Sequence, residues 1–160
     1  MSVFLFDSSA LVKRYVANEI GSTWVQYVTD PKQPNKIYIA AITGVEVISA
    51  MMKKVRTGDL SLSDAQRMSS EFRHDFENQY ELFRVSDAVV ARAMELPEKH
   101  KLRAYDAVQL AAALIISDLS NQQGIPATGT PPLVLVSSDS DLLSAALAEG
   151  LVVEDPTHHP

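Results

Sequence analysis

The sequence predicts an α/β protein in which a central, mainly parallel sheet of about five strands lies between two layers of helices. Short apolar segments alternate along the chain with longer segments of helical periodicity. The apolar segments hold few polar residues, as in strands that are covered on both faces. The 160 residues contain no internal repeat and no obvious linker. A single domain is therefore expected over 1–155, followed by a C-terminal tail over 156–160.

Five segments have the length and composition of strands. Each has five or six residues and is mostly apolar, with β-branched or aromatic side chains. In chain order, strands are predicted at 2–6, 36–40, 80–85, 132–137 and 151–155. The fourth, PLVLVS, has the most strand-like composition of all.

Seven other segments place apolar residues at helical spacing. In chain order, helices are predicted over 10–19, 22–29, 43–57, 61–78, 87–96, 104–119 and 140–150. The sixth is rich in alanine and apolar over much of its surface, so it is expected at the centre of the molecule. Serines near helix starts are the expected caps, namely Ser8 or Ser9, Ser61 or Ser63, and Ser86. A loop rich in glycine and proline is predicted at 121–132.

The composition restricts the possible classes of function. A chain without cysteine has no disulfides and no thiolate metal site, and it suits a reducing compartment. The four histidines are not spaced like zinc ligands, and His158 and His159 in the tail are expected in solvent. The net charge of −6 excludes binding of nucleic acid by bulk attraction. A nucleic-acid ligand would need metal ions or a local basic patch.

The sequence has no apolar stretch long enough for a membrane helix. Its N-terminal apolar run is short and lacks the preceding basic region of a signal peptide. A soluble, cytoplasmic protein is expected.

Four acids fall where a parallel sheet collects functional groups. Asp7 directly follows the first strand and Asp139 directly follows the fourth, so both should lie at the carboxyl edge, where open sheets bind ligands. Glu46 begins the helix that leaves the second strand, and Asp106 opens the alanine-rich helix. Four carboxylates packed together repel one another unless a cation is present. Oxygen-only ligation favours Mg²⁺ or Mn²⁺.

Each acid also has a purely structural interpretation. Asp7, Asp106 and Asp139 stand near helix starts, where a carboxylate can cap the helix or interact with its dipole. Glu46 could be exposed at the rim of its helix. For Asp141, the dipole interpretation is preferred. It is the joint arrival of four acids at one edge that favours a metal site.

Four segments resemble, in order and separation, the acidic motifs of the PIN domain, and most closely those of the toxin ribonucleases of VapBC toxin–antitoxin pairs. They are FLFDSSALVKRYVANEIGS, GVEVISAMMKK, LRAYDAVQLAAAL and LVLVSSDSDLLSAALAEGLVVEDP. The resemblance covers nearly the whole chain. It implies a PIN-like three-layer α/β/α sandwich, one or two Mg²⁺ or Mn²⁺ ions held by the acids, and cleavage of RNA.

The resemblance also implies roles for individual residues. Its four motif acids match Asp7, Glu46, Asp106 and Asp139. The metal would be held by Asp7, Asp106 and Asp139, and Glu46 would ligate it or orient a water. Ser9 and Ser137 match hydroxyl positions that support a carboxylate or a water. Asp141 matches an acid that only some members have.

Basic residues close to the motifs are, as a set, candidates to bind the RNA backbone, although for each residue alone a solvated surface charge is the preferred interpretation. They are Lys13, Arg14, Lys53, Lys54, Arg56 and Arg103. Bulky apolar residues of the second and fourth helices suggest core packing, or the antitoxin groove that the resemblance implies. They are Trp24, Tyr27, Met68 and Phe72. The resemblance further implies a homodimer.

The leading hypothesis is a metal-dependent endoribonuclease, the VapC-like toxin of a toxin–antitoxin pair. A phosphatase of the haloacid dehalogenase kind would use Asp7 as nucleophile, but it needs a second acid two residues later, where Ser9 stands. A further alternative is a non-toxin RNA-processing protein, or a catalytically degenerate PIN domain that binds only metal and a partner.

Overall fold

A computed structural model describes residues 1–122 and 131–159 of the chain. Within these residues, the strands are β1 Val3–Phe6, β2 Lys36–Ala40, β3 Glu81–Phe83, β4 Leu133–Val136 and β5 Val152–Glu154. The helices are α1 Ser8–Tyr15, α2 Ser22–Val28, α3 Thr43–Thr57, α4 Leu62–Asn78, α5 Asp87–Glu95, α6 Ala104–Gln122 and α7 Ser140–Ala148. A 3₁₀ turn over Pro156–His158 follows β5.

The strands described form one sheet in the order β3-β2-β1-β4-β5. Every pairing in it is parallel, with Leu5 of β1 opposite Tyr38 of β2 and Leu135 of β4. All carboxyl ends therefore lie along one edge, and β1 stands at the centre of that edge. The predicted α/β class and the sheet of about five strands are confirmed.

The two faces of the sheet are covered by different sets of helices. Phe4 and Phe6 of β1 pack into a core formed with residues of α1 to α4. Leu5 points to the opposite face, into a core formed with α5, α6 and α7. This alternation follows from the pleat of a strand. The three-layer sandwich is confirmed, and Leu110 to Ala113 of α6 are fully buried, as the alanine-rich composition predicted.

Several predicted boundaries shift in the structure. α1 begins at Ser8, with Asp7 in the N-cap position, so neither Ser8 nor Ser9 precedes the helix as a cap. It ends at Tyr15 instead of 19, because the backbone is extended at Val16. β3 keeps only three of its six predicted residues, those that pair with Tyr38–Ala40 of β2. Ser61 caps α4 as predicted, accepting the Asp64 N–H at 3.0 Å.

The C-terminal residues fold back onto α2. The ring of His159 stacks on Trp24, with centroids 4.5 Å apart, and its Nε2 lies 3.0 Å from Glu154. The expectation of solvent exposure is therefore wrong for His159, whereas the side chain of His158 is 77% exposed. Stacking on a half-buried indole removes apolar ring surface from water, which composition could not reveal.

Most of the predicted loop at 121–132 lies outside the described residues, and 121 and 122 belong to the end of α6. Among the helices described, none is long and apolar enough to cross a membrane.

Candidate active site

Asp7 lies at the carboxyl end of β1 and is only 4% exposed. The hydroxyls of Ser9 and Ser137 both donate to its Oδ2, at 2.6 and 2.8 Å, and Ser8 donates to Oδ1 at 3.3 Å. Its carboxylate makes no capping hydrogen bond to the described residues of α1. The capping interpretation of Asp7 is therefore not supported, and the carboxylate is held in place by hydroxyl donors.

The two serines are themselves fixed by the segment that follows β4. Ser9 Oγ accepts the N–H of Ser138, and Ser137 Oγ accepts the N–H of Asp139, each at 3.0 Å. Because each hydroxyl accepts a backbone N–H, its proton is left to point at Asp7. The orientation of the Asp7 carboxylate thus depends on a loop about 130 residues away in sequence.

Asp139 caps a helix and also lies near a second acid. Its Oδ1 accepts the N–H of Leu142 at 2.9 Å and caps α7, as the structural interpretation proposed. Its charge also raises the pKa of Asp106, so the two carboxylates face the same region.

Glu46 and Asp106 complete the group of acids. Burial raises the pKa of Glu46 to about 7, and the charges of Asp7 and Asp106 add to this effect. Burial also raises the pKa of Asp106, together with the charges of Asp139 and Asp7. The four predicted acids therefore come together at the carboxyl edge of the sheet, where burial and the charges of neighbouring acids disfavour the ionised forms of Glu46 and Asp106.

Gln109 and Thr43 belong to this site, although they were not predicted from the sequence. The Gln109 amide Nε2 donates to Thr43 Oγ1 at 2.6 Å and to Glu46 Oε2 at 3.1 Å, and Gln109 is completely buried. Within the described part of the chain, its Oε1 has no hydrogen-bond partner. A sequence signal exists, because Gln109 is a polar residue one helical turn beyond Asp106 in an otherwise apolar helix.

The donor set of this site is suited to a hard divalent cation. It consists of carboxylate oxygens whose mutual repulsion a cation would relieve. Among the residues described, no three acidic or histidine side chains are close enough together to form a complete metal centre as they stand. Asp7, Asp106 and Asp139 are the residues that could hold the ion.

Three of the basic RNA-binding candidates are paired within the fold. Lys13 is buried, 3.4 Å from Glu19, and Lys54 lies 2.5 Å from the other oxygen of Glu19. Arg14 donates to Asp75 at 3.2 Å, to both oxygens of Thr29 at 2.6 Å and to Gln79 at 3.3 Å. Lys13 and Arg14 are therefore not solvated surface charges, since both are paired with protein groups, and their contact with RNA stays a prediction.

The other candidates remain at the surface. Lys53, Arg56 and Arg103 are exposed and have no ion-pair partner in the described ranges. The positive charge of Arg103 also favours the ionised form of Asp106, in opposition to burial. Asp141 forms an exposed ion pair with Lys101 at 2.9 Å, in the first turn of α7.

The bulky apolar residues of α2 and α4 have mainly structural positions. Met68 and Phe72 are buried, and Trp24 packs against Phe4 and Phe6. Tyr27 differs from them, because it is 61% exposed. Core packing therefore accounts for three of the four residues.

The sequence matches the PIN domain family over residues 4–148. The fold is similar to that of PAE2754 from Pyrobaculum aerophilum (17% identity, TM-score 0.62, covering 98% of this chain and 85% of that one). It is also similar to that of a toxin–antitoxin complex from Klebsiella pneumoniae (18% identity, TM-score 0.59, covering 95% of this chain and 96% of that one). A third similar structure is VapBC2 from Rickettsia felis bound to a promoter DNA fragment (13% identity, TM-score 0.59, covering 96% of this chain and 98% of that one).

A comparison with curated proteins found no match. The family match spans most of the chain and includes Asp7, Glu46, Asp106 and Asp139. This chain belongs to the PIN domain family.

Proposed function

We propose that this protein is a metal-dependent endoribonuclease and the VapC-like toxin of a toxin–antitoxin pair. The observation that carries the proposal is the convergence of Asp7, Glu46, Asp106 and Asp139, at which burial and mutual repulsion raise the pKa values of Glu46 and Asp106. A structural cluster of acids would gain nothing from such repulsion. Membership of the PIN domain family supports nuclease activity.

Asp7, Asp106 and Asp139 are the proposed ligands of Mg²⁺ or Mn²⁺. When bound, such an ion lowers the pKa of a water and offsets negative charge on the scissile phosphate. Ser9 and Ser137 hold Asp7 in one orientation, which limits the reorganisation that ion binding requires.

Glu46 is the proposed proton acceptor. With a pKa of about 7, its carboxylate can take a proton from an attacking water near neutral pH. Gln109 Nε2 donates to Glu46 Oε2 at 3.1 Å and so holds this carboxylate in place. Glu46 would then act as a general base rather than as a principal metal ligand.

The toxin role is supported by similarity of fold. Two of the proteins of similar fold are a toxin–antitoxin complex from Klebsiella pneumoniae and VapBC2 from Rickettsia felis. An antitoxin partner is proposed on this basis, together with a homodimer, and exposed Tyr27 on α2 is a candidate contact for the antitoxin. A short neighbouring gene for a DNA-binding antitoxin would support this role, and a solitary gene would favour RNA processing instead.

The decisive experiment compares RNA cleavage by the wild-type protein and two matched variants, with Mg²⁺ or Mn²⁺ added. Asp7→Asn should abolish cleavage, because it removes a ligand charge while keeping the shape of the side chain. Asp87→Asn changes an exposed acid at the start of α5 and should cleave as wild type does. Circular dichroism and thermal melting should show that both variants are folded.

Cleavage by Asp7→Asn at the wild-type rate would contradict the assignment. Metal binding by the wild-type protein without cleavage of any RNA tested would favour the degenerate alternative.

A further inference from the structure

A groove extends from Glu46 along the exposed face of α3. Its volume is about 330 Å³, and α6 contributes Tyr105 to its wall. The α3 residues Val45, Ser49, Lys53 and Arg56 line it, because spacings of four, four and three residues place them on one face of a helix. Lys53 lies seven residues beyond Glu46, about two turns or ~10 Å along the axis. One end of the groove thus lies at the candidate active site.

The walls of the groove combine an exposed aromatic ring with apolar surface. Tyr105 is 56% exposed and Val45 is 67% exposed. Tyr105 directly precedes Asp106, so this exposed ring stands beside the candidate active site. Elsewhere in the described residues, several aromatic side chains pack against one another, but Tyr105 has no aromatic partner there. An exposed ring beside an active site can serve as a stacking surface for an unpaired base.

The charged residues of the groove beyond Glu46 are positive. Lys53 and Arg56 are exposed and form no ion pair with the described residues, in contrast to Lys13, Arg14 and Lys54. In a chain with a net charge of −6, a local pair of unpaired cations is the feature that would attract a polyanion.

We infer that this groove binds a single-stranded stretch of RNA beside the cleaved bond, with one unstacked base on Tyr105 and backbone phosphates on Lys53 and Arg56. The inference rests on the proposed function, since it takes the end of the groove at Glu46 as the site of cleavage. Bases inside an A-form duplex are stacked and paired, so they cannot reach an exposed ring. The groove therefore selects unpaired RNA by shape and stacking rather than by a base code.

The test measures RNA binding separately from cleavage. The Asp7→Asn protein, with and without Mn²⁺, is titrated into a short single strand that carries 2-aminopurine at successive positions. Tyr105→Ala in this background should weaken binding about tenfold, the order expected for one stacked base, and abolish the fluorescence change at one position. Tyr105→Phe keeps the ring and should keep both signals.

The two cations are tested through the salt dependence of binding. Lys53→Gln with Arg56→Gln should reduce the slope of log K against log salt by roughly 1.4, since each phosphate contact on a single strand contributes about 0.7. Lys32→Gln removes an exposed lysine outside the groove and should leave the slope unchanged. Tyr105 is exposed, so the melting temperature of Tyr105→Ala should stay close to that of its parent, which checks the fold.

Unchanged affinity of Tyr105→Ala, or equally tight binding of a fully paired hairpin, would overturn the inference. So would conversion of a dimer to a monomer by Tyr105→Ala with RNA affinity unchanged, because the groove would then be an interface between copies. If the wild-type protein cuts no RNA but binds single strands through Tyr105, the catalytic proposal fails and the groove assignment stands.

Discussion

At the scale of single residues, Glu46 shows that the candidate site destabilises the metal-free fold when its carboxyl group is ionised. Its pKa of about 7 lies above the ordinary value of 4.5, so the folded protein binds its proton more tightly than the unfolded chain does. Between these values, the stability of the fold falls as the pH rises. Above pH 7, the ionised carboxylate remains a destabilising group because Asp7 and Asp106 face it.

Glu46→Gln should therefore stabilise the metal-free protein, increasingly from pH 5.5 to pH 8, since glutamine cannot ionise. A gain of about 1–2 kcal/mol is expected at pH 8, after allowance for solvent screening of a partly exposed group. Urea unfolding in EDTA at both pH values measures this gain. Glu77→Gln, at an exposed position on α4, serves as the control, and a gain independent of pH would contradict the prediction.

Arg14 provides a second test at this scale, because its guanidinium bonds to groups of α4 and to the end of α2. Arg14→Gln leaves Asp75 and the Thr29 carbonyl without this donor, and a loss of about 1–3 kcal/mol is expected. The Arg14→Gln protein should bind RNA with an unchanged slope of log K against log salt, because the guanidinium of Arg14 does not line the groove. Denaturant unfolding measures the loss of stability, and a salt titration measures the slope. A reduced slope would identify Arg14 as an RNA contact.

These residues also show how far the sequence determines the site. Asp7 and Asp139 could be placed because each directly follows an apolar strand, and parallel pairing brings the strand ends together. The pairing of Arg14 with Asp75 spans 61 residues, so no local pattern announces it. Gln109 stands out in the sequence only as a polar residue one helical turn beyond Asp106, and its hydrogen bond to Glu46, 63 residues earlier, follows no local pattern.

At the scale of elements, helices defined by long apolar periodicity were predicted well, and short or edge elements less well. α3 has the predicted bounds, since its apolar face and Gly58 fix both ends. β3 has only three residues because pairing with β2, rather than its own composition, sets its length. α1 starts two residues early, because the backbone turns into the helix directly at Asp7.

Gly21 links α2 to the C-terminal turn, and its replacement should be unusually costly. Its φ is +86°, and a β-carbon there would overlap the backbone of Pro156. Gly21→Ala should lose about 2–4 kcal/mol, through left-handed strain together with displacement of the turn that carries His159. Thermal or urea unfolding measures this loss.

Gly150→Ala is the matched control for this substitution. Gly150 has the same φ, but no described atom lies within 4 Å of the added carbon, so only about 1 kcal/mol should be lost. Equal losses at Gly21 and Gly150 would show that the contact with Pro156 contributes nothing.

At the scale of the whole molecule, the four acids belong to segments that span most of the chain. Asp7 follows β1, Glu46 lies in α3, Asp106 opens α6 and Asp139 precedes α7. These elements belong to both helical layers, on opposite sides of the sheet. An ion bound by three of these acids would therefore link segments from both sides of the sheet, in addition to the hydrogen bonds of Gln109 to Thr43 and Glu46. Its binding free energy would add to the stability of the entire domain.

Mn²⁺ or Mg²⁺ should accordingly raise the melting temperature of the EDTA-treated protein at constant ionic strength. At a hundred times the dissociation constant, the gain is about 2.7 kcal/mol, or roughly 5–10 °C for a domain of this size. The shift should be larger at pH 8 than at pH 6, because the nearby ion must displace the proton that Glu46, with its pKa raised to about 7, still holds at pH 6.

Asp7→Asn should lose most of this shift, and Asp87→Asn should keep it. A shift of equal size in Asp7→Asn would mean that the ion binds elsewhere on an acidic surface. Asp7, which Ser9 and Ser137 hold in place, would then not be a metal ligand. The proposal of a metal-dependent active site at Asp7 would be contradicted.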